Sequence, residues 1–225
     1  MNSLAEIIIP FPLMNQLVFK TYQIIIIVFF QLLIVYACSN GTANRMAVAD
    51  DSLKYKALST QAFSYCKKFN FDTSFYFIAD MSIHSGKNRF MVWDFSEQKV
   101  TQKALVTHGC GSNGWSSDAR SASPQFSNVC ESHCSSIGKY KVSDRGYSQW
   151  GMHVKYLLHG LDSSNSNALK RTIVLHSWDA VPDKEIFPVG APESWGCPAV
   201  NNEFMIKLDS MLQSSGKPVL LWMVY

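Results

Sequence analysis

The sequence contains little charge, and its basic residues gather into no dense cluster. Charged residues make up 16% of the 225 residues, and the formal net charge is +3. Proteins that bind nucleic acid usually carry a concentrated patch of Lys and Arg that neutralises phosphates. We therefore expect no nucleic-acid partner, and a net charge this small identifies no other partner by itself.

The sequence also lacks an internal repeat, and its longest apolar run is short for a membrane span. The run extends from Ile24 to Ala37 and is interrupted by Gln31, whereas a spanning helix needs about 20 apolar residues. Lys20 precedes the run and small residues end it, which is typical of a signal peptide. We predict a signal peptide over 1–37, a linker over 38–50 and one domain over 51–225 with room for a sizeable core.

The residues around Cys38 indicate how the signal peptide is processed. Val35-Tyr36-Ala37-Cys38 is similar to a bacterial lipobox, in which the cysteine becomes the lipidated first residue of the mature protein. We predict lipidation at Cys38, attachment to a membrane through that lipid, and location in the periplasm or cell envelope. Ordinary signal cleavage, an uncleaved anchor and a true start at Met14 are the alternatives.

One cysteine lies in a segment suited to a reactive thiol. Gly196 removes a side chain from the approach to Cys197, and the N–H groups of both residues can face a developing oxyanion. Asn201 begins a helical pattern whose positive end would favour the thiolate. His176, at the end of an apolar strand pattern, is the candidate base. A half-cystine and a buried core histidine are the plainer interpretations of these two residues.

Two helices and a series of short strands are predicted. Apolar spacing predicts helices over Ser52–Phe69 and about Asn202–Leu212. The Ser-rich stretch Gly109–Ser136 has no periodicity and predicts a long loop. Aromatic and β-branched segments between turn residues predict strands at Ser74–Ile83, Arg89–Phe95, Ala104–Thr107, Lys139–Val142, Lys155–Leu158, Arg171–His176 and Pro218–Tyr225. Many short strands with few helices favour a β-sandwich or barrel.

His176 followed by Ser194-x-Gly196-Cys197 resembles the signature of the L,D-transpeptidase catalytic domain, the YkuD-like enzymes of bacterial peptidoglycan. The ending Ser-Trp-Gly-Cys-Pro-Ala-Val is closest to the murein branch of that family. Other segments resemble that branch in the same order: Val92-Trp93-Asp94-Phe95, Val106-Thr107-His108-Gly109, Phe126-Ser127-Asn128, Ser135-Ser136-Ile137-Gly138, Gly160-Leu161-Asp162 and Asn167-Ala168 through Arg171 to His176. The resemblance covers about Phe75 to Leu212. It implies a mainly β fold, namely a β-sandwich with a long active-site loop. The apolar spacing of the sequence adds an N-terminal helix and a short helix after Cys197.

The resemblance also implies roles for individual residues. Cys197 matches the nucleophile and His176 the base, and the main-chain carbonyl of Ser177 matches the group that orients the imidazole. Gly196 and Cys197 would supply the oxyanion donors. Ser194 and Trp195 would line the pocket. His153 would line it too, because it matches the histidine of a His-Gly pair in that branch, although Val154 replaces the glycine.

Two departures from the wider family are visible in the sequence. The interval between His176 and Cys197 is longer than the commonest form. Pro198-Ala199-Val200 replaces a segment that usually carries an arginine. The role of that arginine in donor binding therefore has no obvious counterpart here.

The reaction implied by the resemblance is acyl transfer on peptidoglycan stem peptides, without metal or organic cofactor. The thiolate attacks an L,D peptide bond, a thioester forms, and a second stem's amine resolves it into a 3→3 crosslink. Hydrolysis of the thioester would instead make the enzyme an L,D-carboxypeptidase. A wall-binding lipoprotein that has lost the chemistry is the non-enzymatic alternative.

The remaining cysteines support two competing predictions. His108 and Cys110, with Cys130, His133 and Cys134, have spacing compatible with a zinc site. In an exported protein the same thiols more naturally form disulfides. We predict no metal, and a bridge that joins Cys110 to Cys130 or Cys134.

Overall fold

The computed structural model describes residues 22, 23, 25–29, 31, 53–116 and 120–225. The chain divides into two compact units, Met1–Tyr55 and Lys56–Tyr225. In the first unit, residues 22, 23, 25–29 and 31 are helical and exposed. Among the described residues, no helix combines the length and apolarity needed to cross a membrane. Cys38 and the predicted linker 38–50 lie outside the described residues, as does most of the predicted signal peptide.

The second unit is built on ten short strands. Eight of them form one sheet in the order β3-β2-β1-β10-β5-β6-β7-β9, and β4 pairs with β8 in a separate parallel pair. Within the large sheet, β1 runs parallel to β10 and β7 parallel to β9, and the other neighbours are antiparallel. The strands are β1 (Phe75–Asp80), β2 (Phe90–Asp94), β3 (Lys99–Ala104), β4 (His108–Gly109), β5 (Gly138–Tyr147), β6 (Val154–Gly160), β7 (Val174–Ser177), β8 (Glu193–Ser194), β9 (Ala199–Val200) and β10 (Val219–Val224).

The large sheet curls until its two edges approach each other. Thr107, just after edge strand β3, donates its backbone N–H to the carbonyl of Ala199 on the opposite edge strand, β9, at 2.9 Å. One buried core consequently contains Phe77 and Val92 from one half of the sheet and Leu175 from the other. The sandwich thus arises from one sheet that folds over a shared core.

Two helices accompany the sheet. Helix α1 (53–68) buries Ala62 and Cys66 completely, and Phe63 packs on Phe95 with ring centroids 5.0 Å apart. Helix α2 (Asn202–Ser214) begins where the Asn201 side chain accepts a hydrogen bond from the Phe204 N–H at 2.8 Å. This is the N-cap that the sequence predicts. The buried face of α2, which includes Phe204, Met205 and Leu208, completes the main core.

The mainly β fold class and both helices are confirmed. One strand was misplaced: the sequence predicts Ala104–Thr107, whereas β3 is Lys99–Ala104. β3 alternates exposed and partly buried residues, as an edge strand does, whereas Leu105 and Val106 are fully buried outside the ladder. The apolar pattern marked the buried residues and missed the polar edge strand beside them.

Candidate active site

Strand β7 carries the imidazole of the site. His176 is buried, and its Nδ1 lies 2.9 Å from the carbonyl oxygen of Ser177. A carbonyl oxygen can only accept, so Nδ1 carries the hydrogen and Nε2 keeps a lone pair. The Ser177 hydroxyl also has a partner, because it accepts the Met152 N–H at 2.9 Å. The side chain of Ser177, to which the sequence assigned no role, therefore ties the β5–β6 turn to the histidine strand.

The Cys197 turn, residues 194–198, is fixed by hydrogen bonds from neighbouring hydroxyls. The carbonyl of Cys197 accepts from Thr107 Oγ1 at 2.9 Å and from Ser194 Oγ at 2.7 Å. The carbonyl of Gly196 accepts from Ser135 Oγ at 3.2 Å. The turn is therefore held by Thr107 and Ser135, which are distant in the chain, and by Ser194 from within the turn itself.

Gly196 is required by the backbone of this turn. Its φ is +107°, a conformation that residues with a Cβ rarely adopt. A Cβ at this position would lie 2.6 Å from the Cys134 carbonyl oxygen. The Gly196 N–H donates to Ser194 Oγ at 3.1 Å. The sequence predicts that this N–H faces an oxyanion, and in the structure without substrate it donates to the serine hydroxyl instead.

The sulfur of Cys197 is a free, partly exposed thiol. Sγ lies 3.5 Å from the Val174 backbone nitrogen and 3.8 Å from the carbonyl oxygen of Thr172. Val174 lies two residues before His176 on β7. The thiol and the imidazole consequently share one region beside β7.

A cavity of about 400 Å³ joins the two groups. Its lining includes Cys197 and His176, together with Ser194, Gln149 and four tryptophans, Trp115, Trp150, Trp178 and Trp195. Trp195 is 60% exposed and stacks on the His133 ring at a centroid distance of 5.1 Å. The structure thus brings together the predicted residues Cys197, His176, Ser194 and Trp195 around one open space.

Burial controls the protonation of both central groups. Burial lowers the pKa of His176 below its usual 6.5, and it outweighs the opposing hydrogen bond to Ser177. Burial also raises the pKa of Cys197 above its usual 9.0, against the smaller opposing effects of the Val174 N–H, Arg171 and Lys155. Thiol and imidazole are therefore both neutral at pH 7. The sequence predicts that the helix start favours the thiolate, whereas burial of the sulfur acts in the opposite direction and favours the thiol.

Arg171 holds the long loop next to the Cys197 turn through several hydrogen bonds. Its Nη1 donates to Ser127 O at 2.9 Å and to Ser136 Oγ at 2.6 Å, and its Nη2 donates to the carbonyl of Cys134. The same Nη2 lies 3.2 Å from the position that a Cβ on Gly196 would take. One guanidinium therefore fastens the long loop beneath the Cys197 turn and places a positive charge near the sulfur. Arg171 lies in a segment that resembles the family, but the sequence alone predicted no role for it.

His153 does not join the site. It lies outside the cavity lining, with Nδ1 3.2 Å from the Ser148 carbonyl and its ring stacked on Tyr147 at 5.5 Å. Its φ is +61°, so it serves the turn that links β5 and β6. The sequence predicts a pocket role for His153, whereas in the structure its imidazole contacts residues of the turn.

The predicted disulfide is absent from the structure. Cys66, Cys110, Cys130, Cys134 and Cys197 are all free thiols. The Sγ of Cys110 faces the Gly111 carbonyl at 3.8 Å, and the Sγ of Cys134 faces the Ser132 carbonyl at 3.3 Å. Each sulfur is engaged with a backbone carbonyl, and the bridge to Cys110 is therefore a prediction that the structure does not bear out.

The histidine of the alternative zinc site belongs to a buried polar network. His108 accepts from Arg89 Nη2 at 2.7 Å through Nδ1 and lies 2.8 Å from Ser121 Oγ through Nε2, while Ser121 hydrogen-bonds Glu193. Burial lowers the pKa of His108 to about 3, so the ring stays neutral. Among residues 53–116 and 120–225, no three His, Cys, Asp or Glu side chains are placed to hold a metal ion.

Several solved structures resemble the chain weakly. An L,D-transpeptidase from Xylanimonas cellulosilytica is 11% identical with a TM-score of 0.36, covering 67% of this chain and 60% of its own. The helical cell shape determining protein of Campylobacter jejuni is 12% identical with a TM-score of 0.42, covering 67% and 47%. An L,D-transpeptidase from Mycobacterium smegmatis is 10% identical with a TM-score of 0.38, covering 68% and 59%. The chain spans about half to three fifths of these proteins, and likenesses of this size support no functional conclusion.

None of the curated proteins matches the sequence. A family model does match, and it covers residues 48–222. That range contains strands β1 to β9, most of β10, the Cys197 turn and the residues that line the cavity. The match agrees with the resemblance carried by His176 and the Ser194–Cys197 segment, and the chain belongs to the L,D-transpeptidase catalytic domain family.

Proposed function

We propose that this protein is a peptidoglycan L,D-transpeptidase in which Cys197 is the nucleophile and His176 the general base. The observation that carries the proposal is the shared cavity, in which a free thiol and a neutral imidazole from separate segments meet. A half-cystine would be bonded to another sulfur, whereas Cys197 is a free thiol on the lining of the cavity. Membership of a family of enzymes agrees with this assignment.

The first half-reaction forms a thioester. As the stem peptide approaches, Nε2 of His176 takes the thiol proton and Sγ of Cys197 attacks the carbonyl on the L side of an L,D peptide bond. The tetrahedral intermediate collapses, its C–N bond breaks, and His176 returns the proton to the departing D-amino acid amine. The hydrogen bond from Nδ1 to the Ser177 carbonyl keeps the imidazole in the tautomer that this transfer needs.

The thiolate and the oxyanion each need a donor at the moment of attack. The Val174 N–H, 3.5 Å from the sulfur, stabilises the transient thiolate. The Cys197 N–H has no acceptor among the described residues, whereas the Gly196 N–H is occupied by Ser194. We assign the Cys197 N–H as the main oxyanion donor. Rotation of Ser194 Oγ would free the Gly196 N–H as a second donor.

The second half-reaction decides the product. A side-chain amine from another stem loses its proton to His176, attacks the thioester and releases the thiol, which yields a 3→3 crosslink. If water attacks instead, the product is a trimmed tripeptide and the enzyme is an L,D-carboxypeptidase.

The test is incubation of the full chain with purified disaccharide–tetrapeptides, followed by product masses. Crosslinked dimers with loss of D-Ala are expected, and Cys197→Ala should give none. His176→Ala should lower the rate about 10²–10⁴-fold. Cys130→Ala, which removes a free thiol outside the cavity, is the matched control and should retain activity. Trimmed monomers alone would identify a carboxypeptidase, and unchanged substrate would favour the non-catalytic binder.

We also propose that the protein is exported and attached to a membrane through lipid on Cys38. The proposal rests on the apolar run Ile24 to Ala37 and the Val35-Tyr36-Ala37-Cys38 segment. Mass spectrometry of the mature N-terminus tests it, and a diacylated Cys38 is expected. An intact Met1 or Met14 would contradict the anchor without affecting the proposed chemistry.

A further inference from the structure

Four of the six tryptophans in the chain line the cavity that contains Cys197. They come from separate segments: Trp115 follows β4, Trp150 lies in the β5–β6 turn, Trp178 follows β7, and Trp195 lies in the Cys197 turn. Their rings form a continuous series, with centroid distances of 6.1 Å from Trp195 to Trp115, 6.5 Å from Trp115 to Trp178, and 5.9 Å from Trp178 to Trp150. We call these four residues the tryptophan wall.

The tryptophan wall is held in place although much of it faces solvent. Trp115, Trp150 and Trp195 are 40%, 49% and 60% exposed. The indole N–H of Trp115 donates to the Glu193 carbonyl at 2.9 Å, and Trp195 stacks on His133. Exposing several large apolar rings side by side is unfavourable in water and usually marks a binding surface. These contacts fix the rings of Trp115 and Trp195, and a surface fixed in this way loses less conformational entropy when it binds a ligand.

The rest of the cavity lining indicates the chemistry of that ligand. Gln149 and Ser194 add neutral hydrogen-bonding groups, and burial keeps His176 uncharged at pH 7. Among residues 53–116 and 120–225, no carboxylate, lysine or arginine belongs to the lining. A negatively charged portion of the stem peptide would find no cation there. A pyranose ring fits better, because its C–H faces stack on indoles while its hydroxyl and acetamido groups bind amides and hydroxyls.

We propose that the tryptophan wall binds the saccharide to which the stem peptide is attached, so that the protein selects glycan-linked stems over free peptides. This inference rests on the proposed function, because it concerns the substrate of the same site. Three stem residues between the sugar and the scissile bond span about 10 Å when extended. With the scissile bond at Cys197, the proposal requires the sugar to lie about that far from the sulfur, along the tryptophan wall.

The test compares three ligands on the full chain carrying Cys197→Ala, which binds without turnover. The ligands are the N-acetylglucosamine–N-acetylmuramic acid disaccharide, the free tetrapeptide, and the disaccharide–tetrapeptide, each titrated by calorimetry and by tryptophan fluorescence. We expect the disaccharide alone to bind and quench fluorescence, and the disaccharide–tetrapeptide to bind at least tenfold more tightly than the free tetrapeptide. Equal affinity for the two peptides would overturn the proposal, and so would tighter binding of the free tetrapeptide.

Variants of the wall locate the effect. Trp150→Ala should reduce the tenfold preference to below threefold, and Trp195→Ala serves the same purpose if the first variant does not fold. Phe187→Ala removes an aromatic ring of similar exposure, 55%, outside the cavity and should keep the preference. A preference that survives both tryptophan variants would contradict the wall as its source.

The experiments distinguish a failure of the proposed saccharide site from a failure of the proposed reaction. If the unmodified chain forms thioester with a tetrapeptide and the disaccharide confers no preference, the saccharide site is wrong and the chemistry stands. If the disaccharide binds the wall and the unmodified chain neither crosslinks nor trims stems, the chemistry is wrong and the wall is a glycan-binding site.

Discussion

The sulfur of Cys197 lies 3.5 Å from the backbone nitrogen of Val174, two residues before His176 on the same strand. This contact brings the sulfur to the part of β7 that also carries the imidazole, and both groups line the same cavity. It also gives the sulfur a hydrogen-bond donor that strengthens when the thiol loses its proton. One strand thus positions the base and a stabilising group for the nucleophile.

Arg171 should affect the reactivity of Cys197 without touching substrate. Its guanidinium holds the long loop and opposes the burial that raises the pKa of Cys197, so Arg171→Met should raise that pKa further. A rise of one unit lowers the thiolate fraction at neutral pH about tenfold. The rate of iodoacetamide labelling against pH measures the effect. Arg171→Lys should restore part of the rate, Lys170→Met should resemble the unmodified chain, and a rate unchanged in Arg171→Met would refute the role.

The pH dependence of acylation should follow His176 on its acid side. Because burial holds the pKa of His176 below 6.5, the neutral base persists to lower pH, and the rate should fall only as pH drops through that lowered pKa. The rate of thioester formation with a carbapenem, followed by mass spectrometry from pH 4 to 8, measures the acid limb. A midpoint above 6.5 would indicate that another group controls the reaction.

The hydroxyl of Ser177 should matter for substrate binding. Ser177→Ala keeps the carbonyl that orients His176 and removes the acceptor of the Met152 N–H, which costs about 1–3 kcal/mol when a buried donor loses its partner. The turn that carries Trp150 would loosen, so KM should rise more than kcat falls. Steady-state kinetics and thermal unfolding measure the two effects. Ser210→Ala, at an exposed position, is the control, and a fall in kcat alone would contradict the interpretation.

Asp209 should make stability depend on acid pH. The hydrogen bond from Arg145, with those from Tyr156 and Gln213, lowers the pKa of this buried carboxyl below its unfolded value. Its stabilising contribution is present above about pH 4, the unfolded pKa, and is lost as pH falls through the lower folded pKa. Asp209→Asn should therefore lower the free energy of unfolding by about 2–3 kcal/mol at pH 7.

Urea unfolding of the two proteins at pH 7 and pH 3 checks this expectation. The difference between them should shrink at the lower pH, and Asp183→Asn, at an exposed position, should show little difference at either pH. A penalty for Asp209→Asn that is equally large at both pH values would show that packing, and not charge, explains the effect.

Apart from Trp195, the residues of the tryptophan wall were not predicted from the sequence, and neither were the hydrogen bonds that Thr107 and Ser135 make to the Cys197 turn. Thr107 hydrogen-bonds the Cys197 carbonyl across 90 positions of the chain, and Trp115 bonds the Glu193 carbonyl across 78. Serine, threonine and tryptophan are common in loops and cores, so their presence alone indicates no such role. The short strands β8 and β9, two residues each, carry no alternation that a pattern could reveal.

The sequence by itself determined which segments become β1, β2, β10, α1 and α2, since their apolar spacing matches the period of each element. It also supplied the residue types of the site, a glycine-flanked Cys197 and a strand-borne His176. The tertiary structure alone decided that β1 pairs with β10, which aligns Phe77 with Leu221, and that the sheet curls to bring Thr107 to Ala199. It also decided that burial leaves the thiol neutral. Local periodicity encodes the face that each segment buries, whereas pairing and desolvation depend on contacts between distant residues.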